Sequence, residues 1–323
     1  MKALVVREFC DPSTIQPSEI DPPGPPGPGQ VCIDVAGVGI GYFDGLLIRG
    51  DYQIRPDLPF VSGSSLAGRV RSVGEEVSHL KAGDLVAAFM LHGGMAEQVL
   101  LPAQSCAPLP PDINPLAAAN FFIAWATSLY GLREIGGLAE GETVLVLGAA
   151  GTTGTTAIQC AKAMGARVIA CASSEDKRAH CLEQGADAAI DYTAEDWRDQ
   201  VKQASDGGVN VVYDPVGGEL AESALRLLKP GGRYLVVGFV AGIARIPLNL
   251  PLLKRCSVHG VNWGGTVWAD PSVVAPVIRT LAEWTLTGRI DARPTQVHDI
   301  EQAGEAFAAL FERRSTGSIV VRL

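Results

Sequence analysis

One stretch constrains the fold more than any other. From Thr143 to Gln159 an apolar run, TVLVL, is followed by a glycine turn, GAAGTTG, and then by TTAIQ at helical spacing. A short apolar run without polar alternation, closed by glycine and followed at once by a helix, reads as a buried strand feeding a crossover. The same texture continues. RVIAC, AAID, NVVYD and RYLVVGF follow at intervals, with helical stretches such as AESALRLL between them. Strands alternating with helices over residues 121–263 predict a parallel, doubly wound α/β domain of the Rossmann type.

The flanks read differently. Residues 1–120 carry short β-type runs (KALVVREF, QVCIDVAGVGI, LAGRVRSVG, DLVAAFM, AEQVLLP) broken by Gly and Pro. That punctuation predicts a β-rich module. Residues 264–323 hold two helical pieces and a last strand, SIVVRL, whose simplest destination is the N-terminal module. With 323 residues, 47% hydrophobic and 19% charged, the chain has enough apolar sequence for two cored domains. Its net charge of −9 argues against a nucleic-acid footprint. No apolar run has the length of a membrane span. MKALVVREFC enters a strand directly, and the seven scattered cysteines form no C-x-x-C pair, so a reduced cytoplasmic protein is expected.

The glycine turn points to a dinucleotide. Read as G-x-G-x-x-G, its first position is Ala149, with Gly151 and Gly154 second and third and Gly148 as a further flexible residue. Such a turn brings backbone close to a pyrophosphate at a helix N-terminus, here near Thr152 and Thr153. The end of the second strand selects the cofactor. An NAD site places Asp or Glu there, whereas RVIAC is followed by Ala172, Ser173 and Ser174, with Lys177 and Arg178 one turn later. Hydroxyls and a cation without a carboxylate favour the 2′-phosphate of NADPH.

Along nearly its whole length the sequence then resembles a known family. GYFDGLLIRGDYQ (41–53), LPFVSGSSLAGRVRSVGEEV (58–77), GGMAEQVLLPA (93–103), the glycine turn, VVYDPVGG (211–218), GGRYLVVGF (231–239), IPLNLPLLK (246–254) and TGSIVV (316–321) are similar to the zinc-free quinone oxidoreductase branch of the medium-chain dehydrogenases/reductases. The resemblance implies a GroES-like substrate domain built from residues 1–120 and 264–323, and an inserted NADPH-binding domain. It implies that Thr127, Gly238, Phe239, Asn262 and Trp263 lie around the nicotinamide half. Ser173, Ser174 and Lys177 would take the 2′-phosphate and Tyr192 the adenosine part. Zinc-dependent relatives carry a Cys and a Gly-His-Glu where this chain has Gly41 and Gly63-Ser64-Ser65, so no metal is expected.

The chain departs from the family pattern in three places. Thr152-Thr153 stands for the usual Gly-Val. Gly41 replaces the pocket asparagine, leaving Tyr42 to compensate or the pocket larger. Phe122, Ile123 and Trp125 replace a proline-containing segment. Tyr52, at the family's pocket tyrosine, is either a hydrogen-bond donor to substrate oxygen or an aromatic wall. Without zinc to stabilise an alkoxide, the expected acceptor is already electrophilic. A quinone comes first, then an enone, enal or enoyl-thioester. A weakly catalytic NADPH-binding redox sensor is the rival outside enzymology. The resemblance also implies a homodimer, for which the run SVHGVNW (257–263) offers an edge.

Overall fold

The computed structural model describes residues 1–323 as two compact units, Met1–Ala124 with Ser272–Leu323, and Trp125–Pro271. In the first, strands β1 (Gln30–Ile40), β2 (Ser65–Val73), β3 (Leu85–Phe89), β4 (Gln98–Pro102) and β5 (Cys106–Pro108) belong to one sheet. In the second, β6 (Thr143–Val146), β7 (Arg167–Ala172), β8 (Ala188–Asp191), β9 (Val209–Asp214), β10 (Leu228–Val236) and β11 (Ser257–Gly260) form another. The chain then returns to the first sheet with β12 (Gln296–Asp299) and β13 (Ile319–Arg322).

The first unit orders its sheet β12-β13-β1-β2-β3-β5, with β4 also on β1. The closing strand pairs antiparallel with the end of β1, Ile319 opposite Ile40, as the sequence led one to expect. Alternate residues of β1, Val31, Ile33, Val35, with Val38 and Ile40 beyond an irregularity in register, enter a core shared with Leu66, Val86 and Phe307. Helix α1 (Tyr42–Arg49) follows β1 at once, and Gly50, left-handed at φ 71°, closes it. Phe122 is almost wholly buried and stacks on Phe89 at 6.1 Å, so this bulky replacement serves packing.

The second unit's sheet is wholly parallel in the order β8-β7-β6-β9-β10-β11. The order reverses between β6 and β9, and such sheets bind ligands beyond the strand C-termini at that switch point. All four residues of β6 are buried, as a strand covered on both faces must be. The crossover helices are α2 (Thr152–Ala163), α3 (Glu175–Glu183), α4 (Trp197–Ala204) and α5 (Leu220–Leu225); α6 (Asn249–Lys254) precedes β11 and α7 (Trp263–Ala269) follows it. One face of α2 is laced to the α3–β8 segment. Thr155 meets His180 at 3.1 Å, Gln159 meets Gln184 at 2.6 Å, and Lys162 meets Asp187 at 2.9 Å. Positions i, i+4 and i+7 share a helix face, so three spaced contacts fix its rotation. No helix of the chain is long and apolar enough to cross a membrane.

Candidate functional site: the strand ends of the parallel sheet

The residues picked for the cofactor converge by backbone logic. Five of the six parallel strands are followed directly by candidates: Gly148 to Gly154 after β6, Ser173 and Ser174 after β7, Tyr192 after β8, Gly238 and Phe239 after β10, Asn262 and Trp263 after β11. The sixth, β9, ends in Asp214, which the motif contained but sequence reasoning did not single out.

The glycine turn divides its work among its residues. Gly148, at φ 55°, takes the left-handed conformation, and a Cβ there would sit 2.7 Å from Val216. It therefore makes the tight turn that the strict motif gave to Ala149, which is fully buried with its amide bonded to the Cys171 carbonyl. A Cβ on Gly154 would fall 2.4 Å from the Gly148 carbonyl oxygen and 2.6 Å from Ala149 Cα, so helix and turn touch backbone to backbone. Gly151 differs. Exposed and at the N-cap of α2, it would bring a Cβ within reach of one atom only, at 3.4 Å. Thr152 and Thr153 begin the helix with half-exposed side chains. An open glycine at the start of a twelve-residue helix suits a pyrophosphate.

Two buried polar clusters hold the frame. Ser128 on the helix Ala126–Tyr130 meets the Thr156 hydroxyl at 2.7 Å and the Tyr213 hydroxyl at 3.0 Å, and donates to the Thr153 carbonyl at 3.2 Å. Ser128 thus ties the helix bearing Thr127 to the start of α2. Thr127 is half-buried, and no hydrogen bond of the chain uses its hydroxyl. Asp214, 1% exposed, forms the second cluster. Its carboxylate accepts from the amides of Val216 (2.8 Å) and Gly217 (2.9 Å) and from the Tyr234 hydroxyl (2.5 Å). Burial pushes that phenol above its ordinary range, with the Asp214 charge adding to the shift. The turn so fixed abuts Gly148 on one side and bonds residues 237–242 on the other, including the Gly238 amide to the Asp214 carbonyl. Neither hub was found from sequence; the signals were a hydroxyl next to Thr127 and an acid at a strand end followed by Pro-Val-Gly-Gly.

At the other half of the switch point, Ser174 caps α3 by accepting from the Lys177 amide at 3.4 Å. Ser173 and Lys177 are half-buried. Arg178 is engaged by Asp191 at 2.8 Å. The hydroxyl and amide of Thr193, together with Arg178, hold the Asp191 carboxyl below its usual value. Asp191, opposite Ala172 at the end of the neighbouring strand, is therefore ion-paired with Arg178, and it lies at the end of the third strand rather than the second.

In the first unit the candidates turn inward. Tyr42 stacks on Phe311 at 4.5 Å, and the Arg49 guanidinium covers the same ring at 4.6 Å. Tyr52 meets Phe43 edge to face at 4.7 Å, with no hydrogen bond of the chain to its hydroxyl. Gly41 has open space about its α-carbon, and its amide donates to Asp44 at 2.9 Å. Asp44, also missed, is 1% exposed and accepts from the Ser64 hydroxyl at 2.5 Å; burial pushes its carboxyl up to about 6. Ser65 donates to the Ala119 carbonyl at 2.6 Å. Nowhere do three or more His, Cys, Asp or Glu side chains gather as a metal site would need.

With this geometry in hand, the comparisons decide the family. Residues 27–111 match the alcohol dehydrogenase GroES-like domain, and residues 152–283 match the zinc-binding dehydrogenase domain. Quinone oxidoreductase-like protein 2 of Rattus norvegicus is 35% identical over 325 residues, spanning 100% of this chain and 92% of that one. The chain belongs to the quinone oxidoreductase branch of the medium-chain dehydrogenases/reductases. Among solved members, the Escherichia coli quinone oxidoreductase complexed with NADPH superposes with a TM-score of 0.91 at 27% identity, each chain covered fully. The Thermus thermophilus quinone oxidoreductase, also solved with NADPH, gives 0.80 at 32% identity over both full chains. A mycocerosic acid synthase-like polyketide synthase of Mycobacterium tuberculosis is 29% identical over 300 residues, 92% of this chain and 14% of that one.

Proposed function

We propose that this member of the family is an NADPH-dependent, metal-independent reductase that converts a quinone to its hydroquinone. One observation carries the metal-free part. At the positions of the family's zinc ligands stand Gly41, Ser64 and Ser65, and the two serines spend their hydroxyls on Asp44 and the Ala119 carbonyl. NADPH fits the chain's own features: the open Gly151 at the head of α2, and Ser173, Ser174 and Lys177 beyond β7, whose last residue is Ala172 rather than an acid. When bound, NADPH supplies hydride. The quinone takes hydride and a proton and leaves as hydroquinone, so no alkoxide needs a Lewis acid. Thr127 and the Gly238-Phe239 turn hold the nicotinamide half, and the Tyr52 hydroxyl donates to the substrate oxygen.

A second reading has one support. A related stretch lies within a polyketide synthase, which favours an unsaturated acyl-thioester as acceptor. The sensor reading has less. Burial raises the pKa of all seven thiols, so the chain offers no reactive thiolate for cysteine-based sensing. All seven are free. The test is NADPH and NADH consumption with benzoquinone, naphthoquinone, an enal and a crotonyl-thioester. Turnover of quinones with NADPH supports the reading. Preference for the thioester replaces it, and tight NADPH binding without turnover leaves the sensor.

We place a homodimer on β11. It is the sheet's edge, and the segment before it exposes Ile243 (80%), Leu248 (84%), Leu252 (77%) and Leu253 (73%). Such a patch beside an unpaired edge invites a second copy. Sedimentation should show a dimer that Leu252→Lys dissociates; a monomeric native chain rejects it.

A further inference from the structure

NADPH carries negative charge at two places, the pyrophosphate and the 2′-phosphate, held apart by one ribose. The pyrophosphate falls to the first turn of α2, at Gly151 and Thr152. The 2′-phosphate falls to the first turn of α3, which Ser174 caps and Lys177 follows. A ligand with two contacts gains from both only when the protein holds them at the matching separation. Of the three side-chain contacts that join α2 to the α3–β8 segment, Gln159 with Gln184 and Lys162 with Asp187 lie in the far half of α2. The third lies near the phosphates. The Thr155 hydroxyl meets His180 Nε2 at 3.1 Å. Thr155 follows Thr152 by three residues and His180 follows Lys177 by three, so on each helix the contact sits one turn beyond the phosphate-bearing turn, on the same face.

That contact is a committed one. Thr155 is 5% exposed, and its other acceptor, the Ala149 carbonyl, is 3.5 Å away, a long and weak alternative to the imidazole. His180 is half-buried. Burial lowers its pKa, against the opposing charge of Glu183, so at neutral pH the ring is uncharged and Nε2 accepts the hydroxyl proton. The glycine turn is fixed separately, by the Ala149 amide on the Cys171 carbonyl at 3.1 Å. Removing the Thr155–His180 bond therefore leaves the turn on β7 and the two far contacts in place. What it releases is the first turn of α3 relative to the first turn of α2.

We propose that Thr155 and His180 are positioning residues, whose hydrogen bond sets the spacing of the two phosphate-bearing turns and so makes the chain prefer NADPH to NADH. Neither touches the cofactor. The inference rests on the placement of the 2′-phosphate at Ser173, Ser174 and Lys177, and is independent of which acceptor is reduced. The test is equilibrium binding of NADPH, NADH and 2′-AMP to the native chain, Thr155→Val, His180→Leu and His180→Gln. NADH has the pyrophosphate without the 2′-phosphate, and 2′-AMP the 2′-phosphate without the pyrophosphate. Thr155→Val and His180→Leu should each weaken NADPH about fivefold, the worth of one hydrogen bond, and hold NADH and 2′-AMP as the native chain does. Combining the two should cost no more than either alone. His180→Gln, whose amide can still bond to Thr155, should bind NADPH within about twofold of native. Equal losses with all three ligands overturn the proposal, since the pair would then only support the fold. So does a loss of 2′-AMP as large as that of NADPH, or NADPH affinity unchanged in both Thr155→Val and His180→Leu. A native chain that binds NADPH no better than NADH overturns the placement of the 2′-phosphate, and this inference with it.

Discussion

The two units place hydroxyls and glycines to opposite ends. In the nucleotide unit, the groups beyond the strand ends face outward or stay accessible: Gly151 is open, Ser174 is exposed, and Thr152, Thr153 and Lys177 are half-exposed. Its buried hydroxyls, Ser128, Thr156 and Tyr213, hold those groups in place. In the other unit, Ser64 and Ser65 turn into the core and bond to the chain itself, and Tyr42 lies flat on Phe311. One unit is built to receive a ligand on its backbone. The other spends the Ser64 and Ser65 hydroxyls on internal bonds, to Asp44 and to the Ala119 carbonyl.

The largest expected effect separates two glycines of one turn. Gly154→Val drives a side chain into the Gly148 carbonyl and Ala149 Cα, and overpacking of that kind costs about 1–3 kcal/mol. NADPH binding should fall below detection and the thermal midpoint should drop. Gly151→Ala meets one atom at 3.4 Å, so it should keep its thermal midpoint while weakening NADPH. Equal losses of stability in both variants would erase the distinction between packing and cradle.

Next comes Asp44 in the other unit. Burial lifts its folded-state pKa from 3.8 to about 6. A carboxyl raised on folding costs nothing below its unfolded pKa. It costs progressively more as the pH climbs through the folded value, to about 3 kcal/mol in full. Asp44→Asn should therefore gain stability relative to the native chain between pH 4 and pH 6 and hold that gain above. Urea unfolding across this range measures it, and a difference constant with pH would show that Asp44 does not titrate there.

Smaller effects fall on the ligands. Lys177→Ala should weaken NADPH about tenfold and leave NADH unchanged, as loss of one charge-assisted contact to a phosphate predicts. An equal loss with both cofactors would move Lys177 off the 2′ position. Tyr52→Phe should lower quinone turnover several-fold with little change in NADPH affinity; unchanged kinetics would leave the ring as a wall.

The same contrast explains what could be read in advance. Parallel strands announce themselves through apolar runs, and the residue after each strand is where a dinucleotide fold puts its contacts. The placement of Gly148 to Gly154, Ser173 and Asn262 just beyond strand ends was legible for that reason. The turn's division of labour was not, because Gly148 rather than Ala149 takes the left-handed residue, and only backbone angles reveal that. Long-range side-chain pairs were hidden as well. Ser64 and Asp44 are twenty residues apart, Ser128 and Tyr213 eighty-five, and nothing in local periodicity joins them. Asp214 sat in plain view within VVYDPVGG, yet its role lies in the amides of Val216 and Gly217 and in Tyr234 on the next strand.

The central claim is hydride transfer from NADPH to a quinone without a metal. Single-turnover oxidation of bound NADPH by a naphthoquinone, in protein dialysed against a chelator and assayed for metal, tests it most directly. The account predicts full oxidation at a rate the chelator does not change, with hydroquinone formed in equal amount. A rate abolished by the chelator and restored by zinc would contradict it, as would bound NADPH that no quinone oxidises.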